Sequence, residues 1–525
     1  MKSTILRSIS SFAAKANAFS AAKAEGEANP HSPYFAAIDL GSNSFHMLIV
    51  KVNDGALETV DRVKEMVQIA RGLKRSGSLS EDAQARAIHC LSCFQERIRD
   101  IPPEQVRAVG TKALRSAQNS EFFIRKAEEA LGHSIDIVSG YEEARLVYLG
   151  VSHDISPDKG SPLIIDIGGG STEFIIGHEG QPKLMESLSI GCVTFSDNYL
   201  SDSEGKPVDA ITGKMIRETY YATCVELELI TRRYRQQTWD IAVGSSGTMR
   251  AIAELMPADV VAGIVTREGL NLLVDTLKQE GKLQNSAGIS SQRLSVLPAG
   301  IIILWAIFDQ LQIEEIHVVD ATLKEGLVYD TLGRLSAHDM RDQTVNKLMD
   351  QYAIDREQAE RVDNTLLHFI DALPNPLVNG VNVRKVVHWA ALLHELGISV
   401  SHSGHHQHGA YLIKNSDLAG FSRFEQELLS LFVGAHRRKI NASRLAILTA
   451  ETQESLSQFF ACLRIAVLLN HRREDNIELP DIEVNGQTIT LEFPDNWLED
   501  HPLTYRNLLQ EQRYLEPLMI QFEFF

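Results

Sequence analysis

Two carboxylates, Asp166 and Glu173, flank the small-residue run Ile167-Gly-Gly-Gly-Ser-Thr172. The apolar stretches on either side, Leu163–Ile165 and Phe174–Ile176, read as two strands of a hairpin, so both acids can reach one hard cation. Oxygen ligands set beside phosphate oxygens suit Mg²⁺. Small residues directly after a buried strand let backbone N–H groups converge on an anion that larger side chains would exclude. An Asp at a strand end often only caps its loop, but two acids around Gly168, Gly169 and Gly170 favour a site. The same syntax occurs earlier, where Asp39-Leu-Gly-Ser-Asn-Ser44 follows Phe35–Ile38 and precedes Met47–Val52. Two such loops facing each other would clamp a phosphate chain. A third loop, Gly244-Ser-Ser-Gly-Thr248, opens a helix through Leu255, and a helix N-terminus favours an anion.

Hydrolysis of a phosphoanhydride also needs a base to orient and deprotonate water for in-line attack. Ser139-Gly-Tyr-Glu-Glu-Ala-Arg145 reads as a strand end leading into a helix whose first turn holds Glu142 and Glu143. Glu142 complements the helix dipole. Glu143, aimed into a cleft, is the candidate base, and phosphate-rich surroundings would raise its pKa usefully.

The elements that must hold these residues repeat. After each strand–loop–strand hairpin, with turns at Asp54-Gly55 and His178-Glu-Gly180, comes a second echo: Ala108-Val-Gly-Thr-Lys-Ala-Leu-Arg115 and Ala242-Val-Gly-Ser-Ser-Gly-Thr-Met-Arg250. Two similar α/β halves with a cleft between them are the economical reading. Beyond about Asp330 glycine becomes sparse and helical periodicity dominates through His388–Leu396 and Phe424–Phe432. The end, Ile482–Phe493 with its Asn485-Gly486 turn, reads as a hairpin followed by a terminal helix.

At 525 residues the chain exceeds one core, and a net charge of −18 excludes a general nucleic-acid binder. Its 44 % hydrophobic and 23 % charged residues exclude bulk disorder. No apolar run spans a bilayer, and Ile301–Phe308 reads as a buried helix. Five scattered cysteines make no disulfide framework; Cys90 and Cys93 sit in a helical pattern as core thiols. Residues 1–33, Ala/Ser-rich with interspersed lysines, read as a disordered extension, with a membrane-surface anchor as the alternative.

Taken together, Asp39-Leu-Gly-Ser-Asn-Ser-Phe-His-Met47, the Ser139–Arg145 run, Asp166–Glu173 and Gly244–Thr248 resemble the exopolyphosphatase/guanosine pentaphosphate phosphohydrolase family of the actin–hexokinase–chaperone ATPase superfamily. The resemblance implies two duplicated actin-like (ribonuclease H-like) α/β domains, a mostly helical HD-like domain and a small C-terminal α+β piece. The expected boundaries are 1–33 for the extension, 34–148 and 149–330 for the halves, 331–475 for the helical domain and 476–525 for the end. It further implies Glu143 as general base, Asp166, Glu173 and Asp39 as holders of Mg²⁺, and phosphate binding by Ser42, Asn43, Ser44, Arg115, Gly168, Gly169, Gly170, Ser171, Thr172, Gly244, Ser245, Ser246, Gly247 and Thr248. The resemblance also implies a homodimer; composition points to a cytoplasmic protein, with peripheral membrane association through residues 1–33 as the variant.

The expected activity is processive release of orthophosphate from polyphosphate, with conversion of guanosine pentaphosphate to tetraphosphate as the alternative. The preference rests on the Ser401–His408 stretch and the intact Gly168–Gly170 loop. A small-molecule kinase or a non-catalytic sensor are readings of other classes. In Val319–Gly326, Ala321 stands where the family usually has Gly and Lys324 where Arg is common, which weakens a role there. In the helical domain His394-Glu395 replaces the His-Asp pair of HD enzymes, so the histidines at 388, 394, 402, 405, 406, 408 and 436 are expected to serve structure, packing or phosphate contact rather than a second metal centre. Arg384, Lys385, Arg437, Arg438 and Lys439 line either a basic channel for a long polyanion or a solvated face.

Overall fold

The computed structural model describes residues 32–525 apart from 54–55, 74–76, 156–159, 179–180, 203–207, 259, 284–288, 337–338, 372, 441–444, 446–447 and 475–477. The extension expected over 1–33, save its last two residues, and the turns at 54–55 and 179–180 lie outside the described residues. The chain divides into two compact units, Met1–Ala337 and His338–Phe525.

The first unit holds two sheets built to one plan. In the first, Tyr34–Leu40 (β1), Phe45–Asn53 (β2) and Ala56–Glu65 (β3) form an antiparallel meander, and Val106–Gly110 (β4) and Ile135–Ile137 (β5) add in parallel, giving the order β3-β2-β1-β4-β5. In the second, Pro162–Ile167 (β6), Thr172–His178 (β7) and Gln181–Leu188 (β8) repeat the meander, and Ile241–Ser245 (β9) lies parallel to β6. Ile264–Thr266 (β10) and Glu315–Val318 (β11) complete the order β10-β11-β9-β6-β7-β8. Without the antiparallel edge strand β10 the two orders coincide, which is the α/β actin-like duplication.

The central strands are covered on both faces, so they read as nearly continuous apolar runs, broken by Asp39, Arg107 and Asp166, rather than alternating. Ala36, Ile38 and Leu40 pack into one core, whereas Phe35 and Ala37 face a central layer shared with Ile164 of β6. Two helices, Gly140–Ser152 and Leu323–Leu335, fill that layer through Ala144, Val147, Leu327 and Val328. They cross so closely that a Cβ at Gly326 would collide with the Leu146 carbonyl. The expected boundaries at 148/149 and 330/331 fall inside these helices, because the helices wedge the halves together instead of linking them.

Helix Leu297–Leu311, carrying Ile301–Phe308, is almost wholly buried, and no helix among the described residues is long and apolar enough to cross a membrane. In helix Glu81–Ile98 Cys90 is buried but Cys93 is exposed. The apolar face runs through Ala83, Ala87, Cys90, Leu91, Phe94 and Ile98, and position 93 turns away from it.

The second unit gathers Met340–Gln351, Arg356–Ile370, Val383–Leu393, His405–Asn415, Arg423–Ala435 and Ala450–Leu469 around Phe369, Trp389 and Phe432. Its hairpin, Asp481–Asn485 with Thr488–Glu492, turns through Gly486 at φ 59°. Helix Pro502–Leu515 follows, but the chain ends in a further strand, Gln521–Phe524, parallel to Thr488–Glu492. Phe522 is pulled into the same core as Leu508 and Leu515, so this last piece shares the helical core rather than standing alone.

Candidate active site

The duplicated frame brings the loop residues together by register. Asp39 is the penultimate residue of β1, opposite His46 on β2, and Asp166 that of β6, opposite Glu173 on β7. By strand alternation both aspartates share the side of their sheets that faces the central layer, alongside Ala37 and Ile164. One cleft is lined by Asp39, Glu143, Asp166 and Glu173. The loop residues Ser42, Asn43, Ser44, Gly168, Gly169, Gly170, Ser171, Ser246, Gly247 and Thr248 complete its expected lining. The two hairpin loops abut: a Cβ on Gly169 would stand 3.0 Å from Ser42 Cβ and 3.2 Å from the Asn43 amide nitrogen. Only a residue without a side chain permits that approach. Ser246 adopts φ 94°, a strained conformation for a residue with a Cβ, at the start of helix Ser246–Ala253.

Four expected residues stand behind the cleft wall. Thr172 is buried and donates to the Ile190 carbonyl at 2.5 Å. Ser245 donates to Asp166 Oδ2 at 2.8 Å and to the Ala321 carbonyl at 3.0 Å, and Gly244 sits beneath it on β9. Arg115 reaches the Val138 carbonyl at 2.6 Å and Glu143 Oε2 at 3.4 Å. It therefore contacts the candidate base rather than lining the phosphate loops, because the short helix Lys112–Ser116 aims it across at the start of the Glu143 helix.

The acids are poised by burial. Glu143 is pushed up to about 7, chiefly by desolvation, with Arg115 opposing and Asp166 adding to the rise. Asp39 also rises to about 7 through burial and its neighbours Glu143 and Asp166. Glu173 is held well above the usual range by burial and by Glu143 and Asp166, and Asp166 is raised less, with Ser245 and Lys324 opposing. Burial and mutual repulsion make the charged forms of these four carboxyls costly, a cost that a bound cation would offset.

Several lining residues escaped the sequence reading: His46, Thr111, Cys192, Arg250, Arg293, Thr322 and Lys324. His46 accepts the place that Glu173 occupies in the other half, bonds Ser44 Oγ at 2.7 Å, and is held neutral, down to about 3, by burial and nearby cations. The signal was available, since His46 follows Asp39 by the same seven positions as Glu173 follows Asp166. Lys324 bonds Thr322 Oγ1 at 2.7 Å, so the segment discounted for its departures from the family pattern does reach the cleft. Beyond Gly247, Arg250 and Arg293 a second recess opens, lined also by Lys64, Glu254 and Ser290.

Residues 48–335 match the Ppx/GppA phosphatase family, and residues 340–512 match domain III of the Ppx/GppA phosphatases. The chain belongs to the Ppx/GppA phosphatase family. It is a hydrolase of phosphoric anhydrides. Curated Ppx/GppA relatives include the guanosine-5′-triphosphate,3′-diphosphate pyrophosphatases of Aeromonas hydrophila, 39 % identical over 90 % of this chain and 95 % of that one, and of Photobacterium profundum, 36 % identical over 92 % and 96 %. An exopolyphosphatase from Cytophaga hutchinsonii shares the fold, with a TM-score of 0.52 and 23 % identity over 57 % of this chain and 98 % of that one.

Ppx/GppA phosphatases generally depend on a divalent metal. Asp39 Oδ1 and Asn43 Oδ1 are buried without a hydrogen-bond donor among the described residues, and the surrounding donors are oxygens, which fits a hard cation. Among the described residues no three His, Cys, Asp or Glu side chains form a ready-made cage.

In the second unit three of the histidines are tied to backbone carbonyls. His394, His405 and His436 bond the carbonyls of Ala391, His402 and Val433 through Nδ1, at 2.7, 3.1 and 2.6 Å, and their rings meet with centroids 5.5 Å apart. Burial pushes His394 down to about 4 and His436 well below the usual range. Of the residues assigned to a basic channel, Arg384 caps the Leu373 carbonyl and Lys385 pairs with Asp339 at 2.9 Å. These two are tied into the domain rather than held ready for a polyanion.

Proposed function

We propose that the chain removes the terminal phosphate from the 5′-triphosphate arm of guanosine pentaphosphate, releasing orthophosphate and leaving guanosine tetraphosphate. What carries this reading is the agreement of relatives 36–39 % identical over at least 90 % of the chain, each named for guanosine 5′-triphosphate 3′-diphosphate. It reverses the preference for polyphosphate drawn from Ser401–His408, whose His405 and His406 are buried in the helical core. The second recess with Lys64, Arg250 and Arg293 favours it too, since a substrate with two phosphate arms uses cations on two sides.

In this reading the Ser42–Ser44 and Gly168–Ser171 loops grip the terminal phosphoryl group through backbone N–H groups and hydroxyls. Ser246, Gly247 and Thr248 hold the next phosphate at the helix N-terminus. Thr172, Gly244, Ser245 and Arg115 position these groups from behind. Asp39, Asp166 and Glu173 would hold Mg²⁺, which supplies charge neutralisation and polarises the phosphoryl oxygens. Glu143 orients a water and accepts its proton as the oxygen attacks phosphorus. The bond from that phosphorus to the bridging oxygen breaks, its electron pair stays on the oxygen that remains with guanosine tetraphosphate, and Lys324 faces the charge developing there. The proposal includes a cytoplasmic homodimer, checked by sedimentation.

Steady-state kinetics of guanosine pentaphosphate and of long-chain polyphosphate, side by side with Mg²⁺, test the reading. A kcat/KM at least about tenfold higher for the nucleotide, a difference of about 1.4 kcal/mol, supports it, and the reverse order restores polyphosphate as the main substrate.

A further inference from the structure

Behind the cleft six charged side chains meet at the helix crossing. Asp330, on helix Leu323–Leu335, is almost fully buried and pairs with Arg107 of β4, with Arg145 of helix Gly140–Ser152, and with Arg334 at 3.0 Å. Arg145 also forks onto Glu142, Nε to Oε2 at 2.7 Å and Nη2 to Oε1 at 2.8 Å. Arg107 reaches Asp136 of β5 at 3.6 Å. Three guanidinium groups thus balance three carboxylates. Glu142, expected only to complement the dipole from the first turn of its helix, is also wholly buried against Arg145.

Buried ion networks are an inefficient way to add stability, since apolar side chains of similar volume often do as well or better. What they provide is direction and register. The three elements meeting at Asp330 all lead to the candidate base. β4 runs on to Thr111 and Arg115, the second beside Glu143. Arg145 lies two residues from Glu143, and Lys324, at the other end of the Asp330 helix, lines the same cleft. The backbone contact at Gly326 fixes the depth of the crossing, and the charges sit where they bear on its rotation.

We propose that Asp330, Arg145 and Glu142 are positioning residues that fix the rotation of the Glu143 helix against the Lys324 helix and so aim Glu143 at the attacking water. The inference rests on Glu143 being the base.

The test uses the full-length protein with Mg²⁺ and guanosine pentaphosphate, comparing Asp330→Asn and Arg145→Lys with Glu143→Gln and with Asp309→Asn. The last removes a remote partner of Arg267 in the same unit, 2.9 Å away. Asp330→Asn should lower kcat by about 10²-fold, the size expected when a reacting group is displaced by about 1 Å, with KM within about threefold of the parent. Arg145→Lys keeps the charge but not the fork, and should lose kcat in the same manner. Asp309→Asn should lower the thermal midpoint and leave kcat unchanged. If Asp330→Asn does not fold, Arg145→Lys and Arg334→Gln carry the test, the second leaving Arg107 and Arg145 on Asp330 and retaining most of kcat. Unchanged kcat in Arg145→Lys, or losses matched by Asp309→Asn at equal thermal destabilisation, overturn the proposal. Should Glu143→Gln itself keep its kcat, the base assignment fails first; a dead Glu143→Gln beside a fully active Arg145→Lys sinks the positioning role alone.

Discussion

Glu143 and Asp39 sit near neutrality because burial and crowding with other acids make the charged forms costly. A base must be unprotonated, so kcat/KM should climb as pH rises toward about 7 and then level. A profile flat from pH 5 to 8 contradicts the assignment. Cation binding needs the carboxylates ionised, so adding Mg²⁺ to metal-free protein near pH 6.5 should release protons, read directly by a pH indicator in weak buffer. No release would remove the cation from this cluster. Lys324→Ala should cost about 10²-fold in kcat/KM, with Lys324→Arg recovering most of it. Asp39, Glu143, Asp166 and Glu173 were legible from type and spacing. Arg250, Arg293 and Cys192 were not, because each is delivered by an element that follows its loop, and no local pattern says which way such a side chain turns.

At the scale of elements, the strand–loop–strand repeat gave away the frame, since a buried strand ending in Asp before small residues has few other uses. The spacing from Asp to its cross-strand partner also encoded His46, although one half uses an imidazole where the other uses a carboxylate. Hidden from sequence were the crossing of Gly140–Ser152 with Leu323–Leu335, a contact between segments far apart in the chain, and the final strand Gln521–Phe524, whose short aromatic run carries no turn signal. The abutting loops make their own prediction. Gly169→Val drives a side chain against Ser42 and the Asn43 amide and covers the N–H groups, so KM should rise at least about tenfold, by about 1.4 kcal/mol, with a smaller change in kcat. An unaltered KM would show that phosphate is not held there.

For the whole molecule, the net charge of −18 stops being an objection to a polyanionic substrate once attraction is local: backbone N–H groups, a divalent cation, and Arg250, Arg293 and Lys324 around one cleft. The two units have separate cores, Val345–Phe522 in one and residues before 338 in the other. Calorimetry should therefore resolve two transitions. His394 and His436 are neutral in the folded second unit and ionise more readily when unfolded, so its stability is lost as pH falls from about 6.5 toward about 4. An acid-labile transition that is unchanged in the fragment 338–525 locates the effect; an acid-stable fragment contradicts it. The most direct test of the central claim is orthophosphate release from guanosine pentaphosphate by Glu143→Gln, measured with binding of the same nucleotide. The account predicts turnover reduced by about 10³-fold or more, near the upper range for a lost general base, with affinity little changed. Turnover like that of the parent would contradict it.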